Sequence, residues 1–203
     1  MTIYFGDGTT VSTAPTSGGA TMQTQTGNSQ WNATSGKSSF LVFATGGGGG
    51  GGRSDPGDDS QGSNAHSAGG GAGGGTGIKM YSGISSATVS IGGGGGNQGG
   101  DGGNTTFTPN TGQYVRGNGG QGARTNGEPA TGGTTTNSAL AIDGDDGTPM
   151  STSNSGTFRR QGGGSFFAGG RGHGGRGGWT QGTSQQAHNG QSGTGGCVMV
   201  IEW

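Results

Sequence analysis

Residues 46–52 are seven consecutive glycines, and they come two residues after the apolar run Phe40-Leu41-Val42-Phe43. Glycine loses more backbone freedom on folding than any other residue and has no side chain to bury. A chain that orders such a run must pack by a scheme in which the bare backbone is itself the contact surface. Composition makes this the central constraint. Glycine supplies 58 of 203 residues, roughly four times ordinary usage. Hydrophobic residues reach 23% and charged residues 9%. That is too little apolar matter for an ordinary layered core, and too little charge for a typical disordered tail.

The spacing of the glycines suggests the scheme. Glycine recurs every third residue at 93, 96, 99 and 102, at 169, 172, 175 and 178, and at 190, 193 and 196. A polyproline-II-type helix has three residues per turn and rises about 3.1 Å per residue, so this spacing makes one continuous bare edge. The glycine runs at 46–52, 69–77, 92–103, 117–122, 169–178 and 190–196 are each short. Recurring within one chain, they can stack into a bundle held by inter-helix N–H···O and weak Cα–H···O contacts. Run 46–52 is expected inside that bundle. Run 169–178 is expected at its periphery, with His173 and Arg176 on one edge, Arg171 on another and glycine on the third.

Between the runs lie polar inserts, the longest at 123–161. Three segments read as strands. "SSFLVFA" (38–44) is apolar enough to be buried on both faces, "IKMYSGISSATVSI" (78–91) suggests two strands joined by a turn at Gly83, and "CVMVIEW" (197–203) should pair close to the first. Phe40, Phe43 and Trp203 are expected to pack this base. No stretch shows a 3.6-residue period. The expected fold is mostly irregular and all-β: a small β-sheet base, a bundle of polyglycine-II helices with loops at its ends, and almost no α-helix. Residues 1–37 read as an N-terminal attachment or assembly segment, and 38–203 as the glycine-rich domain.

Signals of chemistry are weak throughout. Nine Lys+Arg against ten Asp+Glu leave a net charge of −1, which gives no whole-chain attraction to nucleic acid or anionic membrane. The start, "MTIYFGDGTTVSTAP", has neither a basic n-region nor an apolar h-region, so no secretory signal is expected. No apolar stretch approaches the ~20 residues of a membrane span. "GGRGHGGRGGW" (169–179) has the look of an RNA-binding RGG box but holds only two arginines. "GGDGGNTTF" (99–107) and "IDGDDG" (142–147) resemble calcium-binding repeats, but with Asn104 at the acidic position the match is thin and a solvated turn is the better reading. "SGKSS" fails the phosphate-loop pattern, because Trp31 stands where its first glycine is required. His66, His173 and His188 lack metal-ligand spacing. No nucleophile–base arrangement can be picked out, so neither an enzyme, a cofactor nor a metal is expected.

The order of features, over roughly residues 38–203, resembles the glycine-rich distal domains of bacteriophage tail fibres, including the fibre-tip adhesins of T-even-like phages. A strand runs into poly-Gly ("SSFLVFATGGGGGGG"), and a strand–turn–strand leads to a second glycine run and "GGDGGNTTF". Loop-separated runs follow, and "GGCVMVIEW" closes the chain. The resemblance implies a sandwich of polyglycine-II helices whose inserts contact a host-surface receptor, either an outer-membrane protein or a polysaccharide. It implies a protein made in the host cytoplasm and carried on the virion, at a tail fibre, among other virion proteins. A capsid decoration or fibre-joint protein without receptor binding is the alternative. An ice-binding protein would need a regular Thr or Ala face, which these dissimilar inserts lack.

Five insert aromatics are the candidate receptor contacts: Tyr114, Phe158, Phe166, Phe167 and Trp179. Aromatics amid Ser, Gly and Asn give contact area at low entropic cost, as in antibody paratopes. The other reading has them padding the ends of the bundle. Phe166-Phe167, in "GGGSFFAGG", would be hard to bury among glycines.

Overall fold

A computed structural model describes residues 19–54, 65–123, 128–149, 151–153, 161–165, 170–178 and 188–203, with two short strands at 3–4 and 10–11. Among the described residues there are fourteen strands and no helix of the α type.

Two five-stranded antiparallel sheets face each other. In the first, β5 (Ser39–Thr45) is central, flanked by β7 (Thr76–Ser82) and β14 (Cys197–Glu202); β12 (Leu140–Ile142) and β3 (Thr21–Gln25) are the edges. The C-terminal strand pairs with β5 from Cys197↔Thr45 to Glu202↔Phe40, as the sequence suggests. The second sheet has the order β11 (Thr135–Thr136), β10 (Val115–Gly117), β9 (Thr105–Pro109), β8 (Ser86–Ser90) and β4 (Ser29–Asn32). Alternate side chains of the two sheets meet in one core: Trp31, Phe40, Val42, Val89, Phe107, Val115, Val198 and Val200 are all essentially inaccessible. The Trp31 ring lies edge-on to Phe40 and Phe107, with centroids 5.2 and 5.4 Å away, a geometry that adds to simple area burial. Two smaller pairs complete the strands, β1 (Ile3–Tyr4) with β2 (Thr10–Val11), and β6 (Ala65–Ser67) with β13 (Ser151–Ser153).

Three details refine the sequence reading. β7 and β8 do not form a hairpin: the turn at Gly83, whose φ of +67° suits glycine, carries the chain from one sheet to the other. Within residues 1–37, β3 and β4 each supply an edge strand, and Trp31 fills the core. Trp203 does not pack the base; 42% of its surface is exposed. Glu202 is the buried carboxylate, and it accepts hydrogen bonds from Thr21 Oγ1 (3.1 Å) and Gln23 Nε2 (2.8 Å) of β3.

Beyond one end of both sheets the chain continues as glycine-rich runs. Hydrogen bonding from run 46–52 has a strict period of three. The N–H groups of Gly46, Gly49 and Gly52 donate to the carbonyls of Gly75, Ala72 and Gly69; those of Gly47 and Gly50 to Gly103 and Gly100; those of Gly48 and Gly51 to Thr194 and Gln191. Falling residue numbers mean these three neighbours run antiparallel. Its carbonyls accept from three parallel neighbours, through Gly120 and Ala123, Gly95, and Gly175 and Gly178, and from Gly99 in the turn that follows 92–96. Three-fold rotation with no internal hydrogen bonds is the polyglycine-II geometry, and run 46–52 is surrounded by six others.

Run 68–75 is enclosed in the same way. It contacts 46–52, 117–123, 130–134, 143–148, 161–165 and 170–178. The remaining runs close a ring around these two. Starting from 92–96, the ring passes through 99–104, 117–123, 130–134, 143–148, 161–165, 170–178 and 188–196, each bonded to the next and the last bonded back to the first. Ten runs thus form a 3–4–3 stack, 92–96, 46–52, 68–75 and 143–148 being the middle row.

Two expectations change here. The run expected at 92–103 is two antiparallel helices, reversed by a turn at 97–99 in which Gly99 takes a φ of +80°. The segment expected as one polar insert, 123–161, holds two further helices at 130–134 and 143–148, together with β11, β12 and β13. Run 170–178 is peripheral as expected. Gly172, Gly175 and Gly178 form its buried edge, and Arg176 is exposed.

Candidate functional site

The bundle has two unlike ends. At the sheet end the connections beyond the strands are short: 83–85 between β7 and β8, 110–114 between β9 and β10, and 137–139 between β11 and β12. At the opposite end, the described stems of four longer inserts come together. They leave after run 46–52, after 117–123, after 143–148 and after 170–178, and they return at Ala68, Ala130, Gln161 and His188.

These stems are tied to one another. Ser54 is buried, although Arg53 before it is exposed; its N–H donates to the His188 carbonyl at 3.0 Å, and the His188 N–H donates to Ser54 Oγ at 3.0 Å. The insert leaving run 46–52 is thereby fastened to the one re-entering at 188. Pairing of β6 with β13 joins the same insert, near its return at Ala68, to the one that leaves run 143–148, with His66 opposite Thr152. A rigid backbone platform under several inserts is a suitable mount for recognition, because binding residues concentrate on loops held by a fixed scaffold.

Where an outer helix has no neighbour to accept its amides, side chains do so. Asp101 Oδ1 accepts the Gly122 N–H at 2.8 Å, and Asn104 Oδ1 accepts that of Gly119 at 3.0 Å. Spaced three apart, these two residues present their side chains one turn apart along one helix edge. Asp146 Oδ1 does the same for Gly132 at 2.8 Å, and Thr194 Oγ1 for His173 at 2.8 Å. Asp101 of "GGDGGNTTF" and Asp146 of "IDGDDG", the segments that resembled a calcium site, therefore serve as backbone acceptors. Among the described residues, no group of three or more His, Cys, Asp or Glu side chains is placed to hold a metal ion, and no helix is long and apolar enough to cross a membrane.

Of the five candidate aromatics, Phe158, Phe166, Phe167 and Trp179 lie outside the described residues. Tyr114 lies at the sheet end, just before β10, half-buried, with the Arg116 guanidinium carbon 5.0 Å from its ring centroid, a cation–π distance. The described stems on either side of the other candidates are not together. Ser165 donates through Oγ to the Arg171 carbonyl, and Gly172 sits against Thr45 and Gly46 at the sheet end. Gly178 donates to Gly52 at the far end. The Phe pair precedes the sheet-side end of run 170–178, and Trp179 follows its far end. The seal between Ser54 and His188 was not legible in the sequence; the only signal was that each flanks a glycine run.

No protein-family model matches the chain, and neither does any curated protein.

Proposed function

We propose that this chain is a receptor-binding tip of a bacteriophage tail fibre, in which the glycine bundle holds its inserts against a receptor on the host surface. The supporting observation is the gathering of four insert stems at the end of the bundle remote from the sheets. Packed backbone leaves few ways for such a platform to deform, so the described stems of the inserts are held in fixed relative positions, which lowers the entropy cost of binding. The sequence resemblance to fibre-tip adhesins points the same way. On this reading the protein is not an enzyme. Its partners are an outer-membrane protein or surface polysaccharide at one end and other virion proteins at the other, and it resides on the virion.

Two measurements test the reading. Antibody labelling of virions should mark fibre tips; labelling spread over the capsid would favour a decoration protein instead. Purified protein should bind host cells and compete with virion adsorption. Fibre-tip labelling without binding or competition would leave a fibre-joint component as the better account.

A further inference from the structure

The outer face of the β12–β7–β5–β14–β3 sheet is apolar. One row crosses four strands as Met80, Leu41, Ile201 and Met22, in that order. The next row holds Leu140, Ile78, Phe43 and Met199. Phe43 and Ile78 are covered, at 8% and 7% exposure, but Met22 is 64%, Met80 62% and Leu140 57% exposed, and Trp203 lies directly after β14. All the exposed large hydrophobic residues among those described therefore belong to this sheet or its end. In a chain with so few apolar residues, this distribution needs an explanation.

We propose that this face is the contact surface of a homodimer, in which a second copy of the chain lays the same face against it across a two-fold axis. Area is the first argument. Taking roughly 200 Å² per large side chain, the four exposed residues leave on the order of 450 Å² uncovered, comparable with the largest apolar patches on monomers. Two copies would cover about twice that from these residues alone. The partly exposed Leu41, Met199 and Ile201 bring the total to about 1,000 Å², where specific interfaces begin. Charge is the second argument. Every outward position of the five strands is uncharged, so these strands meet without like-charge repulsion; the Arg171 charge acts on Cys197 at the bundle end of the sheet. Shape is the third. β5 is the middle strand, so a two-fold axis along it sets β7 against β14, with Met80 opposite Ile201 and Ile78 opposite Met199. Methionines on such a face adapt to the fit. The inference uses the sheet alone and stands apart from the receptor reading.

Sedimentation of the full-length chain over micromolar concentrations tests it. Wild type should pass from monomer to dimer as concentration rises. Met80→Lys and Met22→Lys change residues that are largely solvent-exposed, so each should keep the wild-type circular dichroism while weakening dimerisation about tenfold or more; Met80→Leu should dimerise as wild type does. Should a lysine variant misfold, Met80→Gln and Met22→Gln take its place. A wild type that stays monomeric throughout overturns the proposal and leaves the face to another segment of the chain or another molecule. A dimer indifferent to both substitutions overturns it too.

Discussion

The backbone N–H of Gly49 donates to the carbonyl of Ala72 at 2.9 Å, joining the two runs that are enclosed on every side. A β-carbon on Gly49 would fall well inside the van der Waals radius of the Gln121 carbonyl. Gly49→Val must push backbone apart, and the bundle has no flexible side chains there to give way. Overpacking of this kind costs about 3 kcal/mol or more, which for a chain of this size is a melting temperature lower by about 6–12 °C. Gly93 is the control. No atom lies within 4 Å of its β-carbon position, so Gly93→Ala should be neutral or stabilise by up to about 1 kcal/mol. Equal melting of the two variants would rule out backbone packing as the source of stability.

The C-terminal strand carries two pairings at once, with β5 and with β3. Deleting residues 198–203 removes Val198 and Val200 from the core and the Glu202 carboxylate from Thr21 and Gln23. The product should be insoluble or rapidly digested. Limited proteolysis that left a resistant, soluble core would contradict the strand's role.

Asn104 and Asp101 serve helix edges, so their loss should be felt as stability. Asn104→Leu leaves the Gly119 amide to water and should cost about 0.5–1.5 kcal/mol, read from denaturant unfolding. Asn104→Asp keeps the acceptor and should stay near wild type. A loss of the same size in Asn104→Asp would show that the hydrogen bond is not what matters.

Alkaline pH should destabilise the protein through Tyr81. Burial pushes its phenol well above the ordinary value of 10.0, and the hydroxyl donates to the Gln113 carbonyl at 2.8 Å. The folded state keeps the proton while the unfolded state gives it up, so the contribution is complete below the unfolded value and declines as pH rises past about 10. Burial likewise raises the Cys197 thiol, an effect partly offset by the Arg171 charge and a Thr45 hydrogen bond; its share declines from about pH 8.5. Tyr81→Phe should flatten the loss above pH 10. An unchanged slope in that variant would assign the loss elsewhere.

If receptor contact is made at the far end of the bundle, Trp179 is the aromatic to change first, because it follows the far end of run 170–178. Trp179→Ala should weaken adsorption by about 2 kcal/mol, roughly thirtyfold, with Phe166→Ala/Phe167→Ala closer to wild type. The reverse order would place the contact at the sheet end.

The sequence by itself determined the kind of contact this protein makes. Glycine every third residue leaves a bare helical edge, and "SSFLVFA" and "CVMVIEW" are too apolar to lie anywhere but in a paired sheet. It also marked run 46–52 as interior, since seven residues without side chains gain nothing at a surface. Tertiary structure alone decided the partners. A glycine run has no side-chain pattern to choose a neighbour, so the six runs around 46–52 follow from where the strands and turns deliver them. The helices at 130–134 and 143–148 were hidden for a related reason: on a ring helix only the inward edges must be glycine, and residues such as Asp146 on the outward edge read as an ordinary loop. β7 and β8 look like a hairpin because local pattern shows strands and a turn, whereas the sheet each strand joins is settled by which face meets Trp31 and Phe107 in the core.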